Sequence, residues 1–183
     1  MIDPLIIRVL MIALGLILVG AAWHKLSSVQ RFAAVVADYQ LLPQFAVPLA
    51  SWLIPVTEIL LGFAWLAGVA TVLVAPLTAL MFLVYGLAIA ANLLRGRLHI
   101  SCGCGLGNSS GENQPLSWIL VIRNILLMVL ALLPLLPATG RDLALLDWFT
   151  LVAALLASCV LYFGGSQLLQ NQSAIRSWRN PRA

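Results

Sequence analysis

The chain has 183 residues, of which 62% are hydrophobic and only 9% charged, and its mean hydropathy is +1.04. A soluble domain carries about 25% charged residues, so this composition cannot cover a water-facing surface and excludes an ordinary soluble enzyme. The formal charge of +4 is small and spread over loops and tail, which argues against nucleic acid as a partner and leaves the lipid bilayer as the surroundings.

A helix needs about 20 apolar residues to cross a bilayer, and only helices satisfy their own backbone within such short apolar segments. The sequence therefore predicts an all-α, polytopic transmembrane helix bundle. It has about five spans and forms a single domain over residues 1–170. The first span covers 4–23, with Arg8 near its start. It lacks a basic leader and a small-residue cleavage pattern, so it reads as a retained span rather than a signal peptide. Trp23 and Lys25 close it as interfacial anchors; His24 between them is less routine and joins the candidate site.

Val29, Phe32, Val36 and Tyr39 then recur at helical spacing, with Arg31, Asp38 and Gln40 on other faces. This predicts a short amphipathic helix at the interface, ended by Pro43. The second span, 45–68, is interrupted by Pro48, Pro55 and Glu58, and a tight turn around Gly68 separates it from an uncharged third span, 71–94. Residues 95–115 form the longest polar connection. The fourth span, 116–136, holds Arg123 and Asn124; the fifth, 143–169, has Asp147 near its start and Cys159 within it. A cysteine in that setting is a small hydrophobe. Gly15, Gly20, Gly62 and Gly86 allow close helix packing, and residues 171–183 are an exposed tail.

Five spans put the termini on opposite sides. One face then carries Lys25, Arg31, Arg95, Arg97, Arg176, Arg179 and Arg182, the other Arg8 and Arg141. This positive-inside bias places the polar loop, His24 and the C-terminus in the cytoplasm.

The polar loop contains the run LHISCGCGLG, with Cys102 and Cys104 one residue apart. A bridge between them would close a very small ring, and strained bridges are easily reduced. Gly103 supplies the backbone freedom such a ring needs. A ring this small constrains the unfolded chain little, so a bridge here suits transfer better than stabilisation. Arg95, Arg97 and His99 lie just upstream and favour thiolate, as does the start of the following helix. Two other readings stay open: His99, Cys102 and Cys104 as ligands of zinc or copper(I), and two small residues in a glycine loop. Within the spans, Arg123 and Glu58 are costly and hence functional candidates. The spans that hold them begin on the same face, so the geometry permits a pair between them.

Trp23-His24-Lys25, Phe32, Tyr39-Gln40-Leu41-Leu42-Pro43, Pro55, Glu58, Asn92-Leu93-Leu94-Arg95-Gly96-Arg97, Cys102-Gly103-Cys104-Gly105, Trp118 and Arg123-Asn124 follow one another in an order that resembles the methylamine utilisation protein MauE family, within the wider DoxX-like group. The likeness runs from about residue 4 to 135. It implies a helix bundle in a bacterial inner membrane, partnered by a thioredoxin-like protein, MauD in the methylamine system. It also implies disulfide handling while an exported enzyme such as methylamine dehydrogenase matures, and it admits a quinone as electron acceptor. On this reading Cys102 and Cys104 are the exchanging pair, Arg95, Arg97 and His99 stabilise thiolate, and Arg123, Glu58 and His24 shape the membrane site below. The alternative is a non-catalytic membrane chaperone or complex subunit whose cysteines bind metal or serve structure alone. An exported client and a cytoplasmic loop lie on opposite sides. Three arrangements reconcile them: reducing equivalents carried outward, a loop folded back into the bundle, or a failure of the charge rule.

Overall fold

A computed structural model of the chain describes residues 3–97, 116–137, 147–157, 160, 161 and 164. Among these the regular structure is helical: α1 (Pro4–Leu26), α2 (Val29–Asp38), α3 (Val47–Ala67), α4 (Thr71–Leu94) and α5 (Trp118–Leu132), with 3-10 turns leading into α3 and extending α5. A further helix, α6 (Asp147–Ala157), is apolar but shorter. Two compact units divide the chain, Met1–Arg141 and Asp142–Ala183; α1 to α5 belong to the first and α6 to the second.

Four helical segments are long and apolar enough to cross a membrane: Pro4–Leu26, Gln44–Ala67, Thr71–Leu94 and Trp118–Leu135. They coincide with the first four spans expected from sequence. The fifth expected span, 143–169, includes α6, and most of its remaining residues lie outside the described set. Leu60, Phe63, Leu73, Leu77, Ile122 and Leu126 are exposed on these helices. Such a surface suits a protein whose solvent is lipid. The chain is a multi-pass helical membrane protein.

Local chemistry sets the helix ends. Asp3 caps α1 by accepting from the Leu5 N–H at 2.9 Å, and Pro4, which lacks the donor a first-turn residue would waste, follows it. α3 and α4 both finish in glycine caps. Gly68 (φ +67°) lets the Val69 N–H reach back to Ala64 at 3.2 Å, and Gly96 (φ +74°) lets the Arg97 N–H reach Asn92 at 3.0 Å. This closure uses carbonyls that the last helical turn leaves unbonded. The interfacial helix forms as expected but stops at Asp38 rather than at Pro43. Gln40 takes a left-handed conformation (φ +47°), and the chain has left the helix before the proline is reached.

The first unit packs as two antiparallel pairs joined by a hairpin. Gly15 and Gly62 bring α1 and α3 together. A Cβ on Gly62 would stand 2.7 Å from a Val19 methyl carbon and 3.1 Å from the Gly15 carbonyl oxygen, so neither backbone could approach the other if these residues carried side chains. α3 and α4 are joined by the buried hydrogen bond from Trp65 Nε1 to Thr78 Oγ1, 2.9 Å. At the other end of the same face the Tyr85 hydroxyl donates to Glu58, 2.7 Å. Trp65 and Glu58 are seven residues apart on α3, as are Tyr85 and Thr78 on α4, so both bonds fit one antiparallel register. Gly86 faces Asn124 of α5, its would-be Cβ at an ordinary 3.5 Å from the Asn124 Cβ. The main core joins Met11, Leu14, Leu18, Trp65, Phe82 and Ala131. A second cluster joins Ile89, Leu93, Leu116 and Val121.

Candidate functional site

α1 buries one stripe: Met11, Leu14, Gly15, Leu18, Ala22 and, on the same line, Lys25. From sequence, Lys25 is an interfacial anchor. In the structure it is 3% exposed and pairs with Glu58 Oε1 of α3, itself 1% exposed. The correction has a simple geometry. Three residues past Ala22 places Lys25 on the buried face, and its ammonium reaches inward instead of out to the headgroups. Burying either charge alone would be strongly unfavourable, and the pair makes both tolerable.

Glu58 Oε1 also accepts from the Tyr85 hydroxyl. The Lys25 ammonium lies 5.3 Å from the Phe32 ring centroid and 5.0 Å from that of Tyr85, within the range of cation–π attraction. Phe32 belongs to α2, so the interfacial helix folds its aromatic face against the buried lysine. Glu58 lies on the buried line of α3 that includes Ser51 and Pro55. Pro55 has no N–H to give to the Ser51 carbonyl, so the helix loses one internal bond in the turn before the carboxylate.

Ile17, Leu18, Ala21, Lys25, Glu58, Phe82, Tyr85, Leu120, Arg123, Asn124 and Leu127 line a cavity of about 30 Å³. That is room for a water or two. It is far below the size of a quinone ring, so the acceptor admitted by the family likeness draws no support from it. Glu58 Oε2 is buried and has no hydrogen-bond partner among the described residues. The expected meeting of Glu58 with Arg123 is therefore realised as a shared cavity, while the carboxylate takes Lys25 as its ion-pair partner. The Asn124 amide turns to its own helix, donating to Leu120 O at 2.8 Å.

Of the remaining expected site residues, His24, Arg95 and Arg97 fall around one end of the bundle. Lys25 in the last turn of α1 and Leu120 in the first turn of α5 both line the cavity, which therefore reaches within about a turn of the end where α4 stops and α5 starts. Arg95 is exposed and Arg97 half-buried just past α4. His24 is exposed beside Lys25 and is not among the residues lining the cavity. His99, Cys102 and Cys104 lie outside the described residues. Their loop is nevertheless held at its base: Leu93 before it and Leu116 after it pack in the same buried cluster.

Sequence reasoning missed Lys25 and Tyr85. The signal for Lys25 was its place on the apolar stripe of α1, masked by a Trp-His-Lys string typical of membrane interfaces. Tyr85 carried no comparable signal, because nothing in one helix says which residue of another it will face.

A helical membrane bundle with a buried Lys25–Glu58 ion pair defines the class of protein. Residues 3–137 match the family described as methylamine utilisation protein MauE, and the chain belongs to that family. It is 38% identical to the methylamine utilization protein MauE of Paracoccus denitrificans over 72% of this chain and 69% of that one. It is 35% identical to the Paracoccus versutus protein of the same name over 91% and 88%, and 34% identical to that of Methylorubrum extorquens over 96% and 93%. No solved structure matches the chain.

Proposed function

We propose that this protein is an inner-membrane thiol–disulfide redox protein. It exchanges disulfides with a thioredoxin-like partner during maturation of an exported enzyme, methylamine dehydrogenase being the candidate that the family resemblance implies. Cys102 and Cys104 are the exchanging pair. In one exchange a thiolate of the pair attacks a partner disulfide, a mixed disulfide forms, and the second thiol resolves it. One pair becomes a bridge and the other a dithiol, so two electrons and two protons change hands and no further reactant is needed. The reverse exchange runs through the same intermediate.

The observation that carries this reading is the setting of the loop. Its two stems, Leu93 and Leu116, are buried together at the end of a bundle whose interior holds Lys25, Glu58, Tyr85 and Arg123 around one cavity. Ionisable groups within spans are costly and mark a functional-site candidate by default. Arg95 and Arg97, at the exit of α4, bring positive charge to the start of the loop and favour thiolate in it. The basic residues at this end, Arg31, Arg95 and Arg97 against Arg8 at the other, support a cytoplasmic side for the loop. Lys25, buried in its pair, drops out of that count.

The test is capture of the intermediate. With Cys104→Ser or Cys102→Ser, one thiol remains to attack and none to resolve, so a purified thioredoxin-like protein should be held as a lasting mixed disulfide by at least one of the two variants. The double variant should hold none. No adduct with either single variant, or an equal adduct with the double variant, contradicts the reading.

A further inference from the structure

We infer that the cavity shared by Glu58 and Asn124 is an internal hydration site, in which a water donates one proton to Glu58 Oε2 on α3 and the other to Asn124 Oδ1 on α5. The inference stands on the interior of the bundle and uses none of the loop cysteines.

The two oxygens of the Glu58 carboxylate are treated differently. Oε1 receives the Lys25 ammonium and the Tyr85 hydroxyl. Oε2 is buried and has no hydrogen-bond partner among the described residues, on a side chain only 1% exposed. A buried carboxylate oxygen without a donor is strongly unfavourable. Asn124 lines the same cavity. Its Nδ2 donates to Leu120 O at 2.8 Å, which leaves Oδ1 as the acceptor end of the amide. Tyr85, also on the cavity wall, has given its one hydroxyl proton to Oε1 and has only lone pairs left to offer. Three helices thus bring acceptors to one small space, and the occupant that satisfies them is a donor.

Size and charge select that donor. The cavity measures about 30 Å³. A water needs about 10–15 Å³ and two to four polar partners, so one or two waters fit and an organic ring does not. A small ammonium ion also donates, but Lys25 and Arg123 line the cavity against a single carboxylate, and a third cation would be repelled. An anion would meet the bare Oε2. Water is the neutral donor of this size, and Arg123, a donor only, suits its lone pairs. Among the described residues Glu58 bonds to α1 and α4. The water adds α5, so that all of α1, α3, α4 and α5 share one polar node.

The test is a crystal structure of the whole chain, grown from a lipidic mesophase in ammonium-free buffer at a resolution that shows ordered water, for the parent and for Asn124→Leu. We expect a peak within about 3.2 Å of both Glu58 Oε2 and Asn124 Oδ1 in the parent. We expect its loss in the variant, whose leucine removes the acceptor and fills the space. The inference is overturned by a parent in which Oε2 takes a side-chain donor or faces no peak, or by a peak that appears only when ammonium is added to the buffer. A peak that persists unchanged in Asn124→Leu overturns the bridge to α5. The parent map decides the matter even if the variant does not fold.

Discussion

The Lys25 ammonium, in the last turn of α1, pairs with Glu58 Oε1 on α3, and the two side chains are 3% and 1% exposed. This contact ties the end of the first span to the helix that follows the interfacial α2. It also gives the bundle an ionisable interior. Lys25→Met or Glu58→Gln alone strands the partner, and should lower stability by about 3–5 kcal/mol. The double change removes both charges and should recover most of that loss. Denaturation in detergent micelles, followed by helical circular dichroism, checks the order of the three variants.

The two glycines that face each other across α1 and α3 differ in kind from the one facing α5. Gly62→Ala would push a methyl to 3.1 Å from the Gly15 carbonyl oxygen and 2.7 Å from Val19 Cγ2, and should cost about 1–3 kcal/mol through overpacking. Gly86→Ala meets nothing closer than 3.5 Å, and should be neutral or stabilising by up to about 1 kcal/mol, as alanine is the better helix former. The same denaturation measurement separates them.

The outline of the molecule was legible in the sequence; its pairings were less so. Thr71–Leu94 is helical over the whole expected third span, because a run of uncharged apolar residues bounded by a glycine turn and arginines has only one arrangement in lipid. Val29–Asp38 followed from its periodicity. Which buried charges meet is a property of helix register, and a single sequence does not encode that in any local pattern. Glu58 sat within reach of cations on two helices, Lys25 and Arg123, and the close approach of α1 at Gly15 and Gly62 settled it for Lys25. In sequence the glycines mark close packing; that this packing also brings Lys25 to Glu58 is visible only in the fold.

Trp65 and Thr78 test the hairpin between α3 and α4. Thr78→Val keeps shape but leaves the buried indole N–H without its acceptor, which should cost about 1–3 kcal/mol. Adding Trp65→Phe removes the orphaned donor, so the double variant should lose less than the sum of the two single losses. A double-mutant cycle on thermal unfolding reads the coupling.

Arg123 lines the cavity beside Glu58, whereas Arg179 belongs to the expected tail. Arg123→Ala should cut disulfide exchange at least tenfold while the protein still inserts, and Arg179→Ala should leave it unchanged. Exchange with a thioredoxin-like protein, measured at equal membrane content, distinguishes the two.

The central claim is that Cys102 and Cys104 cycle between dithiol and bridge in the membrane. Thiol labelling with a membrane-impermeant reagent addresses it directly, on intact cells and on permeabilised ones, with and without prior reduction and with Cys159→Ser as the background. Labelling of both loop cysteines that appears only after reduction, and only once the cells are permeabilised, is the predicted result, and it reports bridge and cytoplasmic side together. Two loop thiols that label fully without reduction, and never become protected when an oxidised thioredoxin-like protein is added, would contradict it.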